Sequence, residues 1–108
     1  MENKRKSERV DDSRTVLVFS YSEIYHGYMI DLSTGGVSII LTQAPHLGAG
    51  VVLEFAIHKT RIKVAAVPCD TTRREQHDGW KIGFAFEHLD MKSFRIIQDR
   101  VTEIKAEG

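Results

Sequence analysis

The sequence predicts a mainly β domain: an antiparallel barrel or closed sandwich of six strands, with one amphipathic helix packed on it at the C-terminal end. Three observations carry this expectation. Six apolar runs between Thr15 and Glu87 alternate with period two, and short connections join them in sequence order. After Asp90 the apolar spacing changes to that of a helix.

The first run, TVLVFSY, puts Val16 and Val18 on one face and Leu17 and Phe19 on the other, which suits a strand covered on both sides for part of its length. YHGYMIDL and GVSIIL follow, joined by the turn DLSTGG. After the breaker QAPHLGAG, VVLEFAIH sets Val51, Leu53, Phe55 and Ile57 against Val52, Glu54, Ala56 and His58, the pattern of a half-buried strand. RIKVAAV turns Ile62 and Val64 inward and Arg61 and Lys63 outward, and Pro68 then calls for a bulge or an edge position. TTRREQHDG reads as a polar loop before WKIGFAFE, where Trp80, Ile82, Phe84 and Phe86 share one face while Gly83 and Ala85 keep the other thin. These aromatics read as core rather than as a surface for stacking bases. In the last segment Asp90 is the expected N-cap, and Phe94, Ile97, Val101 and Ile104 recur at helical spacing over residues 90–106, about four turns or 22 Å. Ile96 lies off that stripe and is the candidate for a contact between two copies of the chain, a homodimer.

Composition bounds the function. At 108 residues the chain is one small domain with little room for a large internal cavity. Fifteen basic and fifteen acidic side chains cancel, leaving no global field for long duplexes, other nucleic acid or an anionic membrane. The lone cysteine, Cys69, excludes an intramolecular disulfide and a thiolate metal cluster and fits a reducing, cytoplasmic setting. Five histidines without metal-ligand spacing make a metal site improbable, and no cofactor is expected. No apolar run approaches the 18 or so residues of a membrane span, and the N-terminus lacks the apolar core of a signal peptide. Ser33 sits in no nucleophile-elbow sequence, so the chain reads as non-enzymatic.

Two motifs remain. Residues 1–14 form a polar, basic arm that cannot repay its own ordering entropy, and it holds Arg5 and Arg9 in RKSER. The turn carries Asp31, Ser33, Gly35 and Gly36, an Asp-x-Ser-x-x-Gly pattern that composition alone produces in about one such sequence in thirty. Arginine can pair with the O6 and N7 edge of guanine or clamp a phosphate. Asp31 can accept from guanine N1 and N2, Ser33 adds a rotatable hydroxyl, and Gly35 and Gly36 admit close approach of the backbone. Lys4 and Arg14 flank these motifs as additional ligand candidates; the alternatives for them are a solvated lysine and an ion pair of Arg14 with Asp11 or Asp12.

The order of these features, from Arg5 into the final helix, resembles the PilZ domain family. The family pattern sets an Arg-x-x-x-Arg arm ahead of a six-stranded antiparallel β-barrel with an Asp/Asn-x-Ser-x-x-Gly turn between strands, and both motifs stand here without substitution. The resemblance implies a bacterial receptor for the second messenger cyclic di-GMP, with Arg5, Arg9, Asp31, Ser33 and Gly36 as ligand contacts, one or two ligand molecules bound, and a separate downstream protein partner. Ordering of the arm over the barrel would be the switch, with the barrel and helix spanning residues 15–108. An alternative is a PilZ-fold protein-interaction module without nucleotide binding. A further one is an oligonucleotide-binding barrel using Tyr21, Tyr25 and Tyr28 as stacking platforms, which zero net charge disfavours.

Overall fold

The computed structural model describes residues 9–74 and 79–107, so Lys4 and Arg5 lie outside the described residues. Seven strands and one helix follow in chain order: β1 (Val10–Asp11), β2 (Thr15–Ser20), β3 (Glu23–Leu32), β4 (Gly36–Leu41), β5 (Val51–Ile57), β6 (Thr60–Arg74), β7 (Gly79–Phe86) and α1 (Met91–Glu107). Neighbours run β1-β3-β2-β5-β6-β7-β4, every pairing is antiparallel, and β4 pairs back onto β3. That last pairing closes β2 to β7 into a six-stranded barrel, which removes the unpaired edges an open sheet would present. Of the two closed architectures the sequence allowed, the barrel is the one formed.

The inward faces are those the period-two pattern marks. Val16 and Val18 of β2, Leu53, Phe55 and Ile57 of β5, Ile62 and Val64 of β6, and Ile82 and Phe84 of β7 are all buried. β4 is buried along its whole length, on both faces. Trp80 and Phe86 pack against the core from partly buried positions. Tyr21, at the β2–β3 turn, and His58 and Lys59, at the two-residue β5–β6 turn, have φ values of 55°, 49° and 68°, in the left-handed region. No glycine signals either turn in the sequence.

Three features depart from the sequence expectations. Val10–Asp11, within the expected arm, pairs with Asp31 and Leu32 of β3; two residues are too short a run for periodicity to register. β6 does not end near Val67 but continues to Arg74, with Thr71 opposite Ile82 and Thr72 opposite Lys81, so much of the expected polar loop is strand. Its polarity reflects exposure, since Thr71 and Thr72 are both exposed. The register shifts between Pro68 and Asp70, which makes Cys69 the extra residue of a bulge, as Pro68 requires.

The helix begins as expected. The Ser93 amide donates to Asp90 Oδ1 at 2.7 Å and the Phe94 amide to the Asp90 carbonyl at 2.9 Å. The Ser93 bonds hold the Asp90 carboxyl below its usual range. Ile97 and Val101 are buried and Ile104 packs against the core, as the stripe predicts, but Phe94 is 38% exposed and the partly buried Ile96 also packs against the core. Polar contacts lie on the Ile96 side of the helix, where Arg100 stands one turn beyond Ile96.

Those contacts centre on Asp12, only 6% exposed. Arg14 donates to both its oxygens, Nε to Oδ2 at 3.1 Å and Nη2 to Oδ1 at 3.0 Å, and Arg100 Nη2 approaches Oδ1 at 3.5 Å. The Asp12 amide donates to the Ile30 carbonyl at 3.1 Å, and Arg14 also donates through Nη1 to the Ala56 carbonyl. Asp12, with Glu103 in support, holds the Arg100 guanidinium more firmly protonated than usual. Glu103, bonded by His58 at 2.8 Å and by Arg100 at 3.1 Å, is held below the usual carboxylate range, chiefly by His58. One buried carboxylate thus ties together β1, β3, β5 and α1.

Asp12→Ala should lower stability by about 1–3 kcal/mol in urea unfolding, because it removes the shared acceptor of two partly buried guanidinium groups and leaves Arg14 only the Ala56 carbonyl and Arg100 only Glu103. A change under about 0.5 kcal/mol would show that the cluster contributes nothing. Asp90 and Glu103 have lowered folded pKa values, so their stabilisation is complete above the unfolded carboxylate range and lost as pH falls through the folded values. Melting of Asp90→Asn should accordingly depend less on pH through the acid range than that of the parent chain.

Candidate functional site

The turn between β3 and β4 is built by Ser33. Its side chain is buried, and its Oγ accepts from the Gly35 and Gly36 amides, each at 3.1 Å. The Ser33 amide donates to the Gly36 carbonyl at 2.9 Å, and the hydroxyl faces the same carbonyl at 3.3 Å. Every hydrogen-bonding atom of this short polar side chain is therefore used inside the turn. Gly36 is required for a different reason: a Cβ there would stand 2.1 Å from the Phe84 carbonyl oxygen on β7. The glycine permits the close approach of β4 to β7, where Gly36 pairs with Ala85. Gly35 is exposed, and its carbonyl accepts from the Phe86 amide at 3.0 Å.

Asp31 enters this arrangement from β3. The β3–β4 register shifts between Met29 and Asp31, so Ile30 is the extra residue of a second bulge and Asp31 stands just beyond it. Arg9 reaches it from across the sheet: Nη1 donates to Asp31 Oδ1 at 2.6 Å, with the two side chains 26% and 21% exposed. Arg9 Nε is buried and has no partner among the described residues. Asp11, two residues along, lies opposite Asp31 in the β1–β3 ladder, so the short strand brings Arg9 to this carboxylate.

Arg9 and Asp31 form the rim of a polar groove of about 310 Å³, lined further by Gly35, Ser38, Cys69, Asp70, Thr72, Lys81, Gly83, Phe84 and Ala85. Arg9, Asp31 and Gly35 are thus the sequence candidates brought together here. Ser33 and Gly36 do not line the groove; they form the turn beneath it. Arg14 is not at the groove either, being bonded to Asp12 and to the Ala56 carbonyl. Ser38, Asp70, Thr72 and Lys81 had no local sequence signal, and strand pairing alone brings them to the same surface. A larger depression of about 530 Å³, lined by Asp11, Asp12, Ser13, Tyr28, Met29, Ile30 and Ile40, presents carboxylates and no basic side chain, which is unsuited to an anion.

Other sequence candidates resolve simply. Tyr25 is 5% exposed, with its hydroxyl accepting from the His46 amide at 2.9 Å, so it is no stacking platform. Among the described residues no group of three His, Cys, Asp or Glu side chains could hold a metal ion, and no helix is long and apolar enough to cross a membrane. Cys69 is free and exposed.

The chain is thus a small closed β-barrel whose surface groove is lined by an Arg–Asp pair beside a glycine-bearing turn. The family model of the PilZ domain matches residues 3–103, and the chain belongs to that family, which includes receptors for cyclic di-GMP. Comparison with curated proteins returned no match. Among solved structures, the chain is similar to the Bacillus subtilis inhibitor of motility MotI/DgrA, with a TM-score of 0.84, 12% identity, and coverage of 98% of this chain and 53% of that one. It is similar to the PilZ domain with c-di-GMP of YcgR from Escherichia coli, with a TM-score of 0.70, 14% identity, and coverage of 97% and 94%. The K. pneumonia MrkH–c-di-GMP complex gives a TM-score of 0.77, 16% identity, and coverage of 98% and 54%. The chain spans about half the length of the first and third of these proteins, and the likeness is one of fold.

Because Ser33 and Gly36 hold the turn, their loss should register as stability. Ser33→Ala should cost about 1–3 kcal/mol, from leaving buried amides unpaired, and Gly36→Ala about 1–3 kcal/mol or more, from forcing β4 off β7. Arg9→Ala should cost about 1 kcal/mol or less, as its ion pair is partly exposed. Thermal melting of the three variants checks the ordering.

Proposed function

We propose that this chain is a non-enzymatic receptor for cyclic di-GMP, and that the ligand sits in the groove rimmed by Arg9 and Asp31. The observation that carries this reading is the meeting of Arg9 and Asp31, 22 positions apart in the chain, at 2.6 Å on the rim of a polar groove. A guanine edge is suited to both groups at once. Its O6 and N7 accept from the arginine fork, while its N1 and N2 donate to the carboxylate, so the base can replace each partner with an equivalent one. An adenine edge offers a donor where O6 stands and leaves the arginine short of an acceptor. The phosphodiesters call for cations as well, and Arg5 belongs to the same reading by its place in the motif.

Arg9 is three residues from Asp12, whose carboxylate reaches Arg100 of α1. Binding at Arg9 therefore acts on a segment joined to the helix, and a changed surface there is what a downstream protein partner would read. The reading without nucleotide draws on the same ion pair, since Arg9 and Asp31 already satisfy one another.

Calorimetric titration with cyclic di-GMP decides between the two. Binding at micromolar ligand is expected, and no heat at tens of micromolar, where the binding free energy would be about −6 to −7 kcal/mol or weaker, would remove the receptor reading. Arg9→Ala should weaken binding at least tenfold, about 1.4 kcal/mol. Unchanged affinity in that variant would take Arg9 out of the site.

A further inference from the structure

Closure of the barrel places four residues from four different strands in one outward-facing row. Asp31 pairs with Ser38, Ser38 with Gly83, and Gly83 with Asp70. Three inter-strand steps separate the two carboxylate-bearing positions, about 14 Å along the sheet, too far for the edge of one purine to touch both. Between them the floor is small, one serine and one glycine. Each acid directly follows a bulge, at Ile30 in β3 and at Cys69 in β6, a device that re-aims the side chain beyond it. The Asp70 carboxylate lies over β7, since a Cβ on Gly83 would stand 3.2 Å from its Oδ2.

We propose that the β6–β7 wall is a second guanine-binding pole of the groove, with Asp70 as acceptor for the base edge and Lys81 as the cation for a phosphodiester. The proposal rests on the cyclic di-GMP reading of the groove and assigns its far half. Two polar groups point to a ligand in the groove, one on the floor between the poles and one at the Asp31 pole. Ser38 lines the groove, is 6% exposed, and makes no side-chain hydrogen bond among the described residues. Arg9 Nε, at the Asp31 pole, is buried without a partner among the described residues. Lys81, in the neighbouring row opposite Thr72, has no ion-pair partner among the described residues, whereas Arg9 is neutralised by Asp31. A carboxylate in a groove for a dianion opposes binding unless it meets donors, and guanine N1 and N2 are such donors. The two poles then take the two bases of one ligand, or one base from each of a stacked pair.

The sign of the Asp70 effect tests this. Calorimetry on the parent chain, Asp70→Ala and Lys81→Ala uses cyclic di-GMP and the hybrid cyclic dinucleotide with one guanine and one adenine. Asp70 is exposed, so its replacement should leave thermal melting within a degree or two of the parent. Asp70→Ala should weaken cyclic di-GMP binding at least fivefold, although it removes a negative charge, and should reduce the preference for cyclic di-GMP over the hybrid. Lys81→Ala should weaken both ligands and flatten the salt dependence. Parent-like or tighter binding by Asp70→Ala, which charge alone would give, overturns the proposal and leaves the receptor reading standing. Absence of binding by the parent chain overturns both.

Discussion

Everything at the groove depends on the closing ladder between β3 and β4. Without it β4 would be an edge, and Asp31 and Ser38 would not be neighbours. Closure requires a turn that reverses the chain at Leu32 and returns it against β7 within a few residues. Ser33 supplies the hydrogen bonds for the reversal, and Gly36 supplies the clearance for the return. The groove surface is a by-product of that closure: once the ladder is set, alternation decides which side chains face out, and the two bulges are where the alternation is broken.

Most of the fold was legible because period-two burial is strong in a small barrel. Each of the six long strands buries one face in a common core, so its apolar residues fall on alternate positions whatever strand it pairs with. The parts that escaped have physical reasons. Val10–Asp11 is ordered by β3 rather than by its own apolar content. The continuation of β6 through Thr71 and Thr72 leaves no burial signature, because those residues are exposed and only the backbone takes part. The helix face was legible in Ile97, Val101 and Ile104, whereas Ile96 escaped because the stripe counts only apolar spacing and not the contact of Arg100, one turn on, with Asp12.

The site was legible to a different extent. RKSER and DLSTGG each stand within a few residues, so local reading finds them, and Arg9 and Asp31 do meet. The roles of the turn residues were not legible. A serine hydroxyl that builds its own turn gives no sign of it in the sequence, and the packing of Ser33 against the Gly35 and Gly36 amides is what shows that role. Ser38, Asp70 and Lys81 were beyond reach, since they become neighbours through register between strands distant in the chain.

The turn has a consequence for how such sequences are classified. Its serine and second glycine answer to the chain's own backbone, so selection for folding suffices to keep them in a barrel that meets no nucleotide at all. Within the motif they carry information about architecture. The arginine and the acid differ from them, since their ion pair is partly exposed and contributes little to the barrel. Sorting relatives by the completeness of the whole motif therefore mixes the demands of folding with whatever Arg9 and Asp31 do at the groove.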